Sequence, residues 1–207
     1  MIDSVGKWAP GPSYGPMLSQ TDLYLLGDVE LELNPILSAT FEPFLLTFNI
    51  TLGRPTGYNQ EARDHDLPFT PKDEPATLPR VDQLIIITEV SPWCTIVRNP
   101  QGVTLGDICT ALHKEYTENY VTDKELESLP PRQQDYMRRA AAAAANANTM
   151  SYPSYYSPQT QPSSRLRRGD WLQSKVWFDK LARKDHYVRG RLGYSAPNIF
   201  VLSLNNY

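Results

Sequence analysis

The fold of this chain is decided within Leu78–Ala145, which contains LIIITEV (Leu84–Val90), WCTIVRN (Trp93–Asn99), VTLGDI (Val103–Ile108) and VTDKEL (Val121–Leu126). The first two runs are rich in β-branched and aromatic residues and predict strands, and the Ser-Pro pair between them favours a hairpin. The last two runs predict the beginnings of helices. Strands followed closely by helices indicate an α+β fold.

Both predicted helices begin in the same way, with a threonine at the N-cap and an acidic residue three positions later. The pairs are Thr104 with Asp107 and Thr122 with Glu125. The hydroxyl accepts a hydrogen bond from an otherwise unpaired backbone N–H, and the carboxylate accepts one from the N-cap N–H. The first helix continues as an apolar stripe with helical spacing, formed by Leu105, Ile108, Leu112 and Tyr116.

The predicted architecture is two-layered, with helices packed on one face of an antiparallel sheet. The sheet is expected to have about four or five strands, including 44–51, 84–90, 94–99 and 198–204. The helices that follow Thr104 and Thr122 are expected to cover one face. A third helix is expected to start at Pro130-Pro131 and to continue through Ala140–Ala145, where the alanines have high helix propensity. An added strand or short helix is expected near Trp171–Leu181.

The chain is expected to form one α+β domain over residues 21–207, behind an irregular N-terminal arm at 1–20. The length of 207 residues and a hydrophobic content of 41% suit a single core. We expect Trp8, Tyr14 and Met17 to pin the arm to the domain. Two segments are expected to lack regular structure: a proline-rich loop at 54–80 and a low-complexity insertion at 146–164, rich in Tyr, Ser and Pro.

Several features favour an intracellular protein, in the cytoplasm or nucleus. The first residues do not form a secretory signal, and no apolar run reaches the roughly 20 residues that span a bilayer. The two cysteines, Cys94 and Cys109, do not make a disulfide framework. We therefore expect no membrane partner.

The most distinctive charge pattern is a basic, aromatic segment at residues 165–194. It carries a formal charge of +6, so that the rest of the chain carries −9. Its candidate binding residues are Arg167, Arg168, Trp171, Lys175, Trp177, Arg189 and Arg191. Such side chains suit a nucleic-acid backbone with stacking bases, or an acidic protein surface. The favoured interpretation is that the aromatic rings pack into the core and that the basic groups neutralise the chain's own acidic residues.

The sequence contains none of the common nucleotide-binding, nucleophile-elbow or zinc-protease motifs, and no catalytic residue is assigned. Cys109 and His113 share a helix face and form the best nucleophile–base pair that the chain offers, although a structural role is favoured for both. His65 lies between two aspartates, where a solvated loop is favoured over a metal site, and His186 is expected at the surface. No cofactor or metal is predicted.

Four stretches together resemble an uncharacterised domain-of-unknown-function family of mushroom-forming (basidiomycete) fungi. They are the strand pair that ends in WCTIVRN, VTLGDICTALHKEY, VTDKELESLPPRQQDYMRRA, and RRGDWLQSKVWFDKL with the closing IFVLSL. The segment NPILS and strand 44–51 are also similar to that family's opening. The resemblance implies an α+β fold and an intracellular fungal protein, and it supplies no catalytic residues.

Three functional hypotheses follow. The leading one is a non-enzymatic protein-interaction or adaptor module, whose partner is another protein. The second is nucleic-acid binding through 165–194. The third is an unfamiliar enzyme with a pocket at Cys109 and His113.

Overall fold

The computed structural model describes residues 6–10, 16–27, 29–139 and 165–206. They fall into two compact units. The described residues of Met1–His113 and Ser174–Tyr207 form the first, which we call the sheet unit, and Lys114–Gln173 contains the second, the helical unit. The prediction of one domain over 21–207 stays a prediction.

The strands are β1 (Glu32–Leu33), β2 (Leu45–Asn49), β3 (Arg54–Asn59), β4 (Asp64–Pro68), β5 (Thr77–Leu78), β6 (Gln83–Thr88), β7 (Cys94–Arg98), β8 (Trp177–Ala182) and β9 (Ile199–Asn205). The helices are α1 (Gln20–Leu26), α2 (Leu105–Glu118), α3 (Asp123–Glu127), α4 (131–139), α5 (Arg168–Trp171) and α6 (Asp185–Leu192). One turn of 3-10 helix covers Thr70–Asp73.

Seven strands of the sheet unit form one sheet in the order β4-β3-β2-β8-β9-β6-β7, and β1 pairs with β5 in a separate two-stranded ladder. All neighbours in the large sheet are antiparallel except β6 and β9, which run parallel. The α+β class and the strands predicted at 44–51, 84–90, 94–99 and 198–204 are confirmed. The prediction of four or five antiparallel strands is wrong, because the sheet has seven strands and is mixed.

The central strand β9 carries the core of the sheet unit. Its residues Ile199, Phe200, Val201 and Leu202 are all buried. Successive side chains of a strand point to opposite faces, so both faces of the sheet are covered at this strand. On one face, Val188 of α6 packs against Ile199, Val201 and Ile87 of β6. The predicted two-layer arrangement is therefore not confirmed.

The two predicted helix starts are confirmed by their capping geometry. Thr104 Oγ1 accepts from the Asp107 N–H at 3.2 Å, and Asp107 Oδ2 accepts from the Thr104 N–H at 2.9 Å. Thr122 and Glu125 repeat these bonds at 3.3 and 2.7 Å. Each box satisfies two N–H groups that an α-helix leaves unpaired at its N-terminus. The apolar stripe of α2 is buried at all four positions predicted for it.

The helical unit has its own small core. Leu126, Met137 and Leu166 are buried together, and Trp171 packs against them. A backbone hydrogen bond of 2.8 Å from the Val121 N–H to the Leu166 carbonyl links the chain before residues 140–164 to the chain after them. Of the two alternatives predicted near Trp171–Leu181, an added strand or a short helix, the strand is present as β8, and the short helix α5 ends at Trp171, where that region begins.

The segment 54–80 differs most from its prediction as a loop. It contains the hairpin β3–β4, the 3-10 turn and β5. The hairpin was missed because β4, with the sequence DHDLP, is mostly exposed and lacks an apolar alternation. Its order comes from pairing with β3 at the edge of the sheet.

Two further helices were missed at the sequence level. α1 begins inside the predicted arm, where Ser19 and Asp22 form a capping box, and α6 follows β8. Trp8 of the arm is buried, as expected, whereas Tyr14 lies outside the described residues. The alanine tract Ala140–Ala145 and the insertion 146–164 also lie outside them.

Candidate functional site

The seven candidate binding residues of segment 165–194 are divided between the two units. Arg167, Arg168 and Trp171 belong to the helical unit, and Lys175, Trp177, Arg189 and Arg191 belong to the sheet unit. The segment folds as α5, β8 and α6. Each residue is therefore considered within its own unit.

In the helical unit, two of these side chains are used for internal packing. The Arg168 guanidinium forms an ion pair with Glu115, and both side chains are largely buried. Trp171 packs on the Leu126–Met137–Leu166 core. Only Arg167 of the three is exposed. This supports the interpretation that the segment neutralises and packs against its own chain.

In the sheet unit, Arg191 ties the β6–β7 connection to α6. Its guanidinium donates to the carbonyl oxygen of Ser91 at 2.7 Å, to that of Trp93 at 3.3 Å, and also to that of Thr88. Two carbonyl acceptors in the β6–β7 connection and a third at the end of β6 give Arg191 a structural role. Lys175 and Arg189 are exposed, and Trp177 is half-buried in β8.

Cys109 lies in an environment that disfavours an activated nucleophile. Cys109 is buried, and this burial raises the pKa of its thiol to about 12. A nucleophilic cysteine needs the opposite shift. The His113 Nδ1–H donates to the Ile50 carbonyl at 2.8 Å. The ring also lies where a side chain on Gly53 would sit, 2.7 Å from the position of a Cβ, and Gly53 has a φ of +71°. His113 therefore fixes the turn after β2.

We expect iodoacetamide to alkylate Cys94 of the native protein and to reach Cys109 only after unfolding. Cys94 is exposed on β7, whereas Cys109 is buried and its raised pKa keeps it protonated. Peptide mass spectrometry with and without guanidinium chloride measures both sites. Alkylation of native Cys109 at the rate of Cys94 would contradict this and would revive the enzyme hypothesis.

The other two histidines lie at the surface of the sheet unit. The His65 ring stacks on Tyr58 across the β3–β4 hairpin, with ring centroids 4.8 Å apart. His186 is exposed on α6. Among the described residues, no group of three or more His, Cys, Asp or Glu side chains is placed to hold a metal ion.

A cavity of about 250 Å³ lies elsewhere in the sheet unit, and sequence reasoning did not anticipate it. The segment 6–10, the chain between β1 and β2, and the 3-10 turn all contribute to it. Its apolar lining is dominated by aromatic rings and prolines: Trp8, Phe41, Phe44, Pro10, Pro35 and Pro71. Its polar lining consists of Asn34, Thr70, Asp73 and Glu74. A mostly apolar cavity with a few placed polar groups is the usual form of a binding site.

Asn34 organises the polar wall of the cavity. It is 1% exposed, and its side-chain Nδ2 donates to Glu74 Oε2 at 3.2 Å and to the Pro75 carbonyl at 3.1 Å. Its Oδ1 accepts from the Ile36 N–H at 3.0 Å. The side chain thus holds the turn after β1 and also orients the Glu74 carboxylate. An Asn-Pro pair is typical of a turn, so the sequence alone does not reveal this second contact of Asn34.

The Glu74 carboxylate is partly desolvated and forms no ion pair with a described side chain. Burial raises its pKa above the ordinary value, and the hydrogen bond from Asn34 opposes this shift only in part. Every lysine, arginine and histidine of the sequence lies in the described residues, and none of them forms an ion pair with Glu74 or Asp73. Glu74 and Asp73 therefore have no ion-pair partner among the lysine, arginine and histidine side chains of the chain.

The aromatic wall is held in place by a glycine. A Cβ on Gly57 of β3 would lie 2.1 Å from the Phe44 ring, so the ring occupies the space of the missing side chain. Phe69 stacks on the same ring, with centroids 6.1 Å apart. Glycine inside a strand often marks such a close approach. The glycine at position 57, inside a strand, is therefore the sequence signal that could have indicated the aromatic wall.

Charge loss at Glu74 is expected to change the pH dependence of stability. Because its pKa is raised in the folded state, the carboxyl favours folding below its ordinary value of 4.5. That contribution is lost as pH rises through the raised pKa. We therefore expect Glu74→Gln to gain stability relative to the wild type from acidic to neutral pH. Urea unfolding across this range measures the difference, with Glu61→Gln in the exposed β3–β4 turn as the control. If the stability of Glu74→Gln relative to the wild type stayed constant or fell as the pH rises, the burial of the Glu74 charge would be contradicted.

One comparison with known proteins gives a result. The model of a family of unknown function (DUF6699) matches residues 46–190. No curated protein and no solved structure matches the chain. In the part of the chain that the structure describes, each helix is too short or too polar to cross a membrane.

Proposed function

The chain belongs to the DUF6699 family, whose function is unknown, and from this premise we propose that it is a non-enzymatic protein-interaction module. The observation that carries the proposal is the cavity beside Glu74, which we propose receives a side chain of the partner protein. We also propose, from the sequence resemblance, that it is a fungal protein of basidiomycete type that acts inside the cell.

The form of the cavity supports binding. Two of its lining side chains are held by their neighbours. The Phe44 ring packs into the space beside Gly57 and stacks on Phe69, and the Glu74 carboxylate accepts a hydrogen bond from Asn34. A preformed site loses little conformational freedom when a ligand enters. Its described lining contains no cysteine, serine or histidine that would supply a nucleophile or an imidazole base.

Its size supports a side chain as the ligand. About 250 Å³ is below the range of roughly 300–1,000 Å³ that is usual for drug-sized ligands. Anchor residues of protein interfaces commonly fill such pockets, and they supply most of the binding free energy.

Selection from a displayed peptide library tests the proposal without assuming the chemistry of the partner. We expect the enriched peptides to bind the wild-type protein and to lose at least about fivefold in affinity to Phe41→Ala, since removing an anchor contact costs more than about 1 kcal/mol. Leu52→Ala changes an exposed leucine outside the lining and is the matched control. Failure to enrich any peptide, or equal binding to Phe41→Ala, would overturn the proposal.

Nucleic-acid binding through 165–194 has less support. Of its seven candidates, Arg168 and Arg191 make internal contacts with Glu115 and with backbone carbonyls, and Trp171 packs in a core. Arg167, Lys175 and Arg189 remain exposed, but they are divided between the two units.

A further inference from the structure

The charge of the cavity defines what kind of side chain would enter it. Glu74 presents a carboxylate among aromatic rings, with Oε2 bonded to Asn34. Asp73 adds a second, more exposed carboxylate to the lining. Burial of an unpaired charge is costly, and a cation bound beside it offsets that cost.

We propose that the cavity binds the guanidinium group of an arginine on a partner protein, between its aromatic wall and the Glu74 carboxylate. This inference rests on the proposed function, because it names the chemistry of the side chain that the partner inserts.

Arginine fits this lining better than lysine does. Its planar guanidinium stacks on aromatic faces and pairs with carboxylates, and it is less strongly hydrated than an ammonium group. It therefore loses less hydration when it enters a cavity walled by Trp8, Phe41 and Phe44. The prolines of the lining contact its aliphatic stem without adding donors that compete for Glu74.

In this proposal the cation comes from another molecule, since no lysine, arginine or histidine side chain of the chain forms an ion pair with Glu74. The residues outside the described ranges contain no lysine or arginine, so they offer no side-chain cation to Glu74. Two basic residues adjoin the lining along the chain. Lys72, two positions before Glu74, is exposed, and Lys7 pairs with Glu32 and lies 5.9 Å from the centre of the Trp8 ring. Lys7 shows that Trp8 already accepts one cation on its ring, at an exposed position.

The test uses acetylated and amidated pentapeptides with a central arginine, citrulline, lysine or norleucine, flanked by glycine and serine. Binding is followed in the full-length protein by the NMR signals of the Asn34 side-chain amide and the Trp8 indole N–H. We expect the arginine peptide to shift both signals. We expect the citrulline peptide, which has a similar shape and no charge, to bind at least tenfold more weakly.

Glu74→Gln is the sharpest variant, since glutamine keeps an oxygen that accepts from Asn34 and removes only the charge. We expect it to weaken the arginine peptide at least tenfold, whereas Glu61→Gln, an exposed acidic residue of the β3–β4 turn, leaves binding unchanged. Circular dichroism, and an NMR spectrum of the free variant that matches the wild-type spectrum away from residue 74, confirm that Glu74→Gln is folded.

Several results of the peptide test would overturn the inference. They are the absence of shifts with the arginine peptide, equal binding of citrulline or norleucine, equal binding of lysine, and full binding by Glu74→Gln. If library peptides still require Phe41 but contain no arginine, the inference fails while the proposed function stands. If the protein forms a concentration-dependent dimer and Glu74→Gln dissociates it, the cavity binds a second copy of this chain and not a partner protein. That result would overturn the assignment of the arginine to a partner.

Discussion

Leu112→Ala is expected to lower the free energy of unfolding by about 2–5 kcal/mol. Leu112 is 1% exposed and lies in the middle of the apolar stripe of α2. Truncation removes buried methyl groups and leaves a cavity that the surrounding side chains fill only in part. Domains of this size have total stabilities of about 5–15 kcal/mol, so the variant would be close to unfolding.

Urea unfolding followed by circular dichroism measures this loss. Lys114→Ala is the matched control, because Lys114 is exposed on the same helix and alanine preserves helix propensity. The control is expected to stay within about 0.5 kcal/mol of the wild type. A loss below about 1 kcal/mol for Leu112→Ala would show that the stripe adds little to the core.

The helix starts and four strands could be predicted because their signals are local. A threonine with an acidic residue three positions later creates its own hydrogen bonds, which is why Thr104 and Thr122 were placed correctly. The run of β6 contains Leu84, Ile86 and Ile87, all buried, and its short length and β-branched residues favour a strand over a buried helix.

The order and direction of the strands could not be predicted in the same way. β9 runs parallel to β6 although the chain between them is more than a hundred residues long, and this pairing depends on tertiary packing that no local pattern encodes. β3 contains Pro55 and Gly57, both unfavourable in strands, and it is held by its neighbours β2 and β4.

The candidate site was hidden for a related reason. Its lining comes from residues 8–10, 34–44 and 70–74, which are far apart along the chain. The lining residues of the second and third segments lie in turns. Turn residues are usually explained by local geometry, and Asn34-Pro35 satisfies such an explanation completely. Only the structure shows that the Asn34 amide also reaches Glu74, forty positions later. Sequence reasoning turned instead to the basic residues at 165–194, whose charge is visible without any fold.

Asn34→Ala is expected to cost about 3 kcal/mol of stability. The substitution leaves the Ile36 N–H without its acceptor and the Pro75 carbonyl without its donor, and both residues are buried. Each buried polar group left unpaired costs about 1–3 kcal/mol. Thermal and urea unfolding measure the loss. Asn59→Ala provides the matched control, because Asn59 Oδ1 accepts from the Ala62 N–H at 2.9 Å in an exposed turn, where water replaces the lost bond.

Equal losses of unfolding free energy for Asn34→Ala and Asn59→Ala would mean that the hydrogen bonds of a buried turn stabilise the fold no more than the bond of an exposed turn. That result would contradict the structural role assigned to Asn34. Asn34→Asp separates the hydrogen bonds from the charge. It keeps the acceptor for the Ile36 N–H, but it replaces the donor to Glu74 and Pro75 by a second carboxylate. We therefore expect it to be less stable than the wild type at neutral pH and to recover as the pH falls, since protonation of either carboxyl restores a donor between them. Recovery in acid would show that Asn34 is needed at this position because its amide donates to a negatively charged Glu74.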